Sequence, residues 1–269
     1  MLESTFQLGP GLGPVRERRL WAMGVRRWQD FPGAPANPRL RSAVAAAGKA
    51  LAARDSECLA AMLPSRERWR MFAAFGEGAA YLDIETGGDE RDFAGVTAVS
   101  LLDRDGPRLF VAGKNLADFP AAARGHNMLV TFNGLSFDVP ILRRAFPGWQ
   151  PPLAHVDLRH VWARLGHHGG LKSLERKVGL GRPDHLAHIT GWDAVWLWRH
   201  GQRGDKRALR LFAEYNLYDT INLRTLMGLA YNRLLEDLHT DVAELDAQPV
   251  TVRYRGDVLY DVSKILLQL

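Results

Sequence analysis

The sequence predicts an α/β fold built on a mixed five-stranded sheet flanked by helices, preceded by a small all-α domain. Three observations predict it. Residues 1–75 carry helical patterning and no convincing strand. Residues 79–113 hold three short apolar runs separated by linkers rich in Gly, Asp and Pro. After residue 127, strand and helix patterns alternate, which points to a sheet of mixed direction.

The elements follow in order. Gly11-Leu12-Gly13 reads as a tight turn, with a short helix after it that Gly24 ends. FPGAPANPR, from Phe31 to Arg39, holds three prolines and reads as a loop. The Ala- and Leu-rich segment from Ser42 to Leu63 favours a helix. The boundary between a 1–75 helical accessory domain and a 76–269 domain is expected where FGEG, Phe75 to Gly78, breaks the pattern. Strands are expected at 79–85, 96–103 and 108–113, as an antiparallel meander. A helix at 115–124, a strand at 127–133, a helix at 137–146 and a strand at 154–158 come next. The last long helical pattern runs from Asp205 to Leu235, with Asp205 as its N-cap. The tail from Gln248 to Val262 reads as a hairpin.

Composition narrows the class. The chain has 269 residues, 46% apolar and 24% charged, typical of a globular protein with a full core. No run of about 18 uncharged apolar residues exists, so no membrane span is expected. The first residues lack the basic-then-apolar pattern of a secretory leader. Cys58 is the single cysteine. That excludes an internal disulfide and a cysteine-rich zinc site, and suits a reducing, cytoplasmic setting. Residues 1–75 hold 12 Lys or Arg against 6 Asp or Glu, although the whole chain carries only +5. A basic segment on a near-neutral body suits a nucleic-acid partner, and equally a solvated basic surface.

Three acidic segments stand out. In YLDIETGG, Asp83 and Glu85 are two positions apart in a strand, so they share a face. Burying two like charges that close costs several kcal/mol, on the order of the penalty for any buried ion, unless a cation compensates. A divalent cation with hard oxygen ligands is the natural one; a strand with one solvated face is the bland alternative. In VTFNGLSFDVP, a strand runs into Asn133-Gly134, and Asp138 opens the next helix, where a carboxylate also suits the helix dipole. In EYNLYDT, Tyr215 and Asp219 are four apart and share a helical face.

Together, Asp-x-Glu in the first strand, Asn-x-x-x-Phe-Asp-x-Pro, and Tyr-x-x-x-Asp in a late helix resemble the three motifs of the DnaQ-like 3′–5′ exonucleases. Tyr215 resembles the tyrosine subgroup, DEDDy; the histidine subgroup would want His where Glu214 stands. HVDLRHVWARLGHHGGLKSLERKVGL, then GWDAVWLW and YNLYD, resemble the YprB-type RNase H-like family over about residues 79–235. The resemblance implies an RNase H-like fold and a phosphodiester hydrolase using two divalent ions, Mg²⁺ or Mn²⁺. It implies that Asp83 bridges both ions, Glu85 and Asp219 hold the ion carrying the attacking water, and Asp138 meets the second ion. Tyr215 would orient or help deprotonate that water, and Asn133 would contact the terminal nucleotide. The N-terminal stretch resembles a helix-hairpin-helix element, with Gly11 and Gly13 in the hairpin and Arg16 beside it. There backbone N–H groups would hold a DNA phosphate, making DNA more expected than RNA.

Other residues carry less specific readings. Lys172 could meet a substrate phosphate, or be an exposed helical lysine. Asp157 reads better as a strand-end cap than as an outer acid. His155, His160, His167 and His168 invite a zinc reading, but His167-His168 is adjacent and glycine-flanked, unlike helical i, i+4 ligands. Trp192 and Trp196 have helical spacing and read as core packing rather than base stacking, with Trp198 beside them. A non-catalytic nucleic-acid-binding protein, a structure-specific endonuclease and a plain α/β scaffold remain alternatives.

Overall fold

The computed structural model describes residues 1–9, 11–33, 38–88, 95–241, 245, 247–254 and 265–266. The N-terminal region opens with a 3-10 turn at Leu2–Ser4 and continues into α1 (Pro14–Ala22), a 3-10 segment at Trp28–Gly33, α2 (Pro38–Ala52), α3 (Ser56–Met62), a 3-10 segment at Ser65–Met71 and the single turn α4 (Phe72–Phe75). The helix expected over 42–63 is two helices. Arg54 takes the left-handed conformation at φ 54°, and Asp55 accepts a hydrogen bond from the Cys58 N–H at 2.9 Å, so one chain turn stops α2 and caps α3.

The sheet consists of β1 (Ala79–Thr86), β2 (Val96–Asp103), β3 (Gly106–Val111), β4 (Met128–Thr131) and β5 (His155–Asp157). Its spatial order is β3-β2-β1-β4-β5. β1 pairs antiparallel with β2 and β2 with β3, whereas β1–β4 and β4–β5 are parallel. The expected meander and mixed direction are therefore present. The helix expected over 115–124 is a 3-10 turn at Leu116–Asp118 followed by the short α5 (Phe119–Ala122).

The remaining helices are α6 (Asp138–Ala145), α7 (Leu158–Arg164), α8 (Leu171–Lys177), α9 (Asp184–Ala187), α10 (Gly191–Gln202) and α11 (Lys206–Asp241). Asp205 accepts from the N–H groups of Arg207 and Ala208, both at 3.0 Å, and starts α11 as expected. Residues 248–254 form no strand, which removes the first half of the expected hairpin; residues 255–262 lie outside the described residues. Asn232 instead pins this tail with paired bonds to the Val250 N–H at 2.8 Å and its carbonyl at 2.9 Å.

Both faces of β1 are covered, which explains its apolar approach. Ala80, Leu82 and Ile84 join the core under α5 and α6, with Phe119 and Trp149. Ala79 and Tyr81 face the other way, into a core shared by α11 and the N-terminal helices, including Trp21, Trp69 and Tyr231. Period-2 alternation then carries Asp83 and Glu85 to the α11 side. Deep in the N-terminal region, buried Glu17 accepts from Thr5, the Phe6 N–H, Gln7 and Arg70, at 2.7 to 2.9 Å. Arg70 also bonds Glu67 at 2.7 Å, and Arg164 reaches Glu67 at 3.3 Å, so both buried carboxylates have a cationic partner.

Candidate active site

Polar bonds fasten α11 to the sheet at the level of the β1 acids. Ser100 lies opposite Asp83 in the β1–β2 register. Its hydroxyl donates to the Asn216 carbonyl at 2.9 Å and also meets the Thr220 hydroxyl. Asn216 in turn donates its Nδ2–H to Asp83 Oδ2 at 2.7 Å. This attachment sets Tyr215 and Asp219, one turn apart on α11, over Asp83 and Glu85. Carboxylate oxygens of Asp83, Glu85 and Asp219 all lie within 4.8 Å of one another.

Asp138 comes from the far side of β1. It opens α6, is only 3% exposed, and accepts the Ile84 N–H at 3.2 Å. It lines the same cleft as the other three acids, a volume of about 410 Å³ also bordered by Asn133, Phe137, Lys172 and Tyr215. All four sequence-predicted acids and the tyrosine therefore meet in one place, with Asp138 beside the tight group of three.

The loop before α6 is held rigidly. Asn133 is left-handed at φ 69°, a conformation asparagine tolerates better than most residues. A Cβ on Gly134 would collide with the Thr131 side chain, so that position demands glycine. Asp157 accepts from the N–H of Asn133 at 2.7 Å, of Leu135 at 3.0 Å and of Arg159 at 3.0 Å. Expected as a strand-end cap, it ends β5, caps α7 and also organises the loop. The Arg159 guanidinium donates to Asn133 Oδ1 at 2.7 Å.

The electrostatics follow from crowding. Burial, then the charges of Asp219, Asp138 and Glu85, raise the Asp83 carboxyl well above its ordinary range; Glu85 rises through burial and then Asp219 and Asp138. Burial pushes Asp138 up to about 7, against the pull of backbone N–H groups. The Tyr215 phenol is raised by burial and then by Asp219, Glu85 and Asp83, which keeps it a hydrogen-bond donor. Asp83, Glu85 and Asp219 gather three hard carboxylate oxygens in one place, a donor set suited to Mg²⁺ or Mn²⁺.

Two cations of the chain itself attend this cluster. Arg182 was not among the residues singled out from sequence. Its guanidinium grips Glu175 in bidentate fashion, both contacts at 2.7 Å, and pairs with Asp219. Burial opposes its charge, but Asp219 and Glu175 outweigh that and raise its pKa. Asn222 gives Glu175 a further bond at 2.8 Å. Lys172 is half-buried rather than a free surface lysine, with its ammonium 4.4 Å from the Tyr215 ring centroid.

Other expectations resolve plainly. Trp192 and Trp196 are not core residues: they stand 75% and 56% exposed. The face of α10 that packs inward carries Ala194 and Leu197 instead. Trp198 is half-buried against Phe212, with ring centroids 5.4 Å apart. His155 is buried and bonded to Thr131 at 2.8 Å, and the metal-capable group among the described residues contains no histidine. Gly11, Gly13 and Arg16 lie at the start of α1, outside the cleft. Gly11 is left-handed at φ 78°, Gly13 caps α1 and Arg16 is exposed. Among the described residues before this turn, one 3-10 turn, Leu2–Ser4, is present. Among the described residues no helix is long and apolar enough to cross a membrane.

Comparison with known proteins places this geometry. Separate comparisons with curated proteins and with solved structures found no match. A model of the RNase_H_2 family, described as RNase_H superfamily, matches residues 80–231, a span that runs from the second residue of β1 through the other four strands and holds all four acids. With more than half of its length matched, the chain belongs to this family of the RNase H superfamily, whose fold and nuclease-type chemistry it carries.

Proposed function

We propose that this protein is a metal-dependent 3′–5′ exonuclease of the DEDDy type, with DNA as the favoured substrate. One observation carries the reading. Asp83, Glu85 and Asp219 bring their oxygens within 4.8 Å of one another, and Asp138 and Tyr215 line the same cleft. A decorative surface cluster has no reason to gather acids from β1, α6 and α11 in one partly buried cleft.

A pair of bound divalent ions would stabilise both the attacking and the leaving oxygen of an in-line displacement at phosphorus. Asp83, Glu85 and Asp219 would hold such ions, with Asp138 completing the set. Tyr215, held protonated by its surroundings, would donate a hydrogen bond that orients the attacking water. Asn133, its amide oxygen occupied by Arg159, keeps its amide N–H₂ to offer a terminal nucleotide. Lys172 at the rim would meet a phosphate. The exposed N-terminal turn, Gly11 to Arg16, would hold a backbone phosphate in an accessory region.

The test supplies 3′- and 5′-labelled DNA and RNA with Mg²⁺ or Mn²⁺ to the intact protein and to Asp83→Ala and Asp219→Ala. Stepwise loss of the 3′ end, abolished in both variants, is the expected result. Internal cuts would favour an endonuclease. No cleavage of any substrate, together with no metal binding, would end the nuclease reading.

A further inference from the structure

Eight large apolar side chains stand exposed among the described residues, and four of them, Leu135, Phe137, Trp192 and Trp196, sit on the two segments bordering the acidic cleft. The α10 pair is the more informative. Thr190 and Gly191 line the cleft, and α10 leaves it directly. The inner side of this helix is fully engaged. Thr190 and Asp193 form a capping box, Arg199 donates to the Gly87 carbonyl at 3.4 Å, and Val195 packs where a Cβ on Gly88 would stand 2.8 Å away. Outward stand two indoles one helical turn apart, with exposed Asp193 and Arg199 among them. The Trp196 ring stacks on His200, centroids 3.7 Å apart, so its orientation is fixed before any partner arrives.

The cleft creates a need for such a surface. Without metal its carboxylates repel a phosphate backbone, and Arg182 is committed to Glu175 and Asp219, which leaves Lys172 at the rim to meet a phosphate. Affinity for a strand must come largely from outside the acids. Arg199 in the last turn of α10 and the exposed Arg203 that caps it add positive charge at the C-terminal end of the helix.

We propose that the Trp192–Trp196 face of α10 is a stacking platform for the unpaired bases of a single strand whose end enters the acidic cleft. The inference rests on the reading of that cleft as a nucleic-acid site. Every base offers a π-face, so the platform accepts any sequence but requires unpaired bases.

The test is fluorescence anisotropy in EDTA, so that nothing is cleaved, with labelled strands of about 12 nucleotides. Single-stranded DNA, single-stranded RNA and a blunt duplex are the three arms. Trp192→Ala and Trp196→Ala each weaken single-strand binding by about 5- to 100-fold, Trp196→Phe restores most of the loss, and duplex binding changes little. Met23→Ala, which removes an exposed apolar side chain of the N-terminal region, leaves affinity unchanged. The arm that loses more identifies DNA or RNA as the strand the platform serves. Unchanged single-strand affinity in both tryptophan variants, an equal loss on duplex, or no single-strand binding by the intact protein overturns the proposal. Cleavage activity with tryptophan-independent affinity would leave the nuclease reading standing without the platform. Tryptophan-dependent binding without cleavage in Mn²⁺ would do the reverse.

Discussion

Replacing Arg182 by leucine removes the one buried guanidinium that serves both Glu175 and Asp219. Its side chain is 4% exposed and that of Glu175 2%. Leucine keeps much of the apolar bulk but strands two carboxylates. Breaking a buried pair by deleting one partner costs about 3–5 kcal/mol, because the remaining charge is left uncompensated. Two features set the expectation at the lower end, about 3 kcal/mol. Asn222 still donates to Glu175, and burial already raises the Glu175 carboxyl, so that it can neutralise itself by taking a proton. Urea denaturation in EDTA at neutral pH reads the loss as a shifted midpoint. Arg182→Lys keeps the charge but not the two-pronged grip, and falls between leucine and wild type. In a double-mutant cycle with Glu175→Gln, the two losses are non-additive by about 1–3 kcal/mol. A leucine variant within about 1 kcal/mol of wild type, the range of an exposed pair, or an additive cycle, would refute the argument that this arginine holds the cluster together.

Three further outcomes are expected. Tyr215→Phe keeps the ring beneath Lys172 but loses the donor, and lowers kcat by about a hundredfold or more with the loss in kcat rather than KM. Mg²⁺ or Mn²⁺ at about 100 times its dissociation constant stabilises the wild type by about 2.7 kcal/mol; EDTA reverses the gain, and Asp219→Asn, followed by thermal melting, abolishes most of it. His155 is held neutral by burial, its pKa pulled down to about 4 from 6.5. The unfolded chain therefore gains a proton first, and this residue's contribution to stability is intact above pH 6.5 and declines toward pH 4 by about 3 kcal/mol in total. His155→Gln flattens that decline in urea midpoints taken across the window; an identical slope in both proteins would show that the residue is not the cause.

Much of the fold could be read in the chain because each signal was local. The five strands lie at alternating or continuous apolar runs bounded by turns, and Asp205 announces α11 by type and place. The acids were legible for another reason: carboxylates in a buried strand and an apolar helix face conflict with their surroundings unless something compensates them. What stayed hidden depends on contacts between distant segments. Arg182 follows Gly181 in a non-periodic linker, and its importance appears only when that linker folds back onto Asp219, 37 residues later by number. Asp157 showed its cap to Arg159 but not its hold on Asn133 and Leu135. Trp192 and Trp196 have the spacing of a core stripe, yet small Ala194 and Leu197 claim the packed side of α10, which rotates the larger rings outward. The break after Ala52 was masked by helix-favouring alanines on both sides, while the left-handed Arg54 carries no composition signal.

The 36-residue α11 is a single rod, about 54 Å long at 1.5 Å per residue. Its first half brings Tyr215, Asn216 and Asp219 to the cleft. Its second half plants Tyr231, Leu234 and Leu235 among the N-terminal helices, where Tyr231 meets Trp69 edge-on at 5.7 Å. Trimming the chain to the matched span of 80–231 would strip Trp69 and its neighbours from the far end of that rod. The exposed end would seek other cover, and Asp219, about 18 Å away along the axis, would be held above β1 by the Ser100, Asn216 and Thr220 bonds without that distal support. The matched span and the packed core therefore end in different places, because the core around α11 continues into the N-terminal helices.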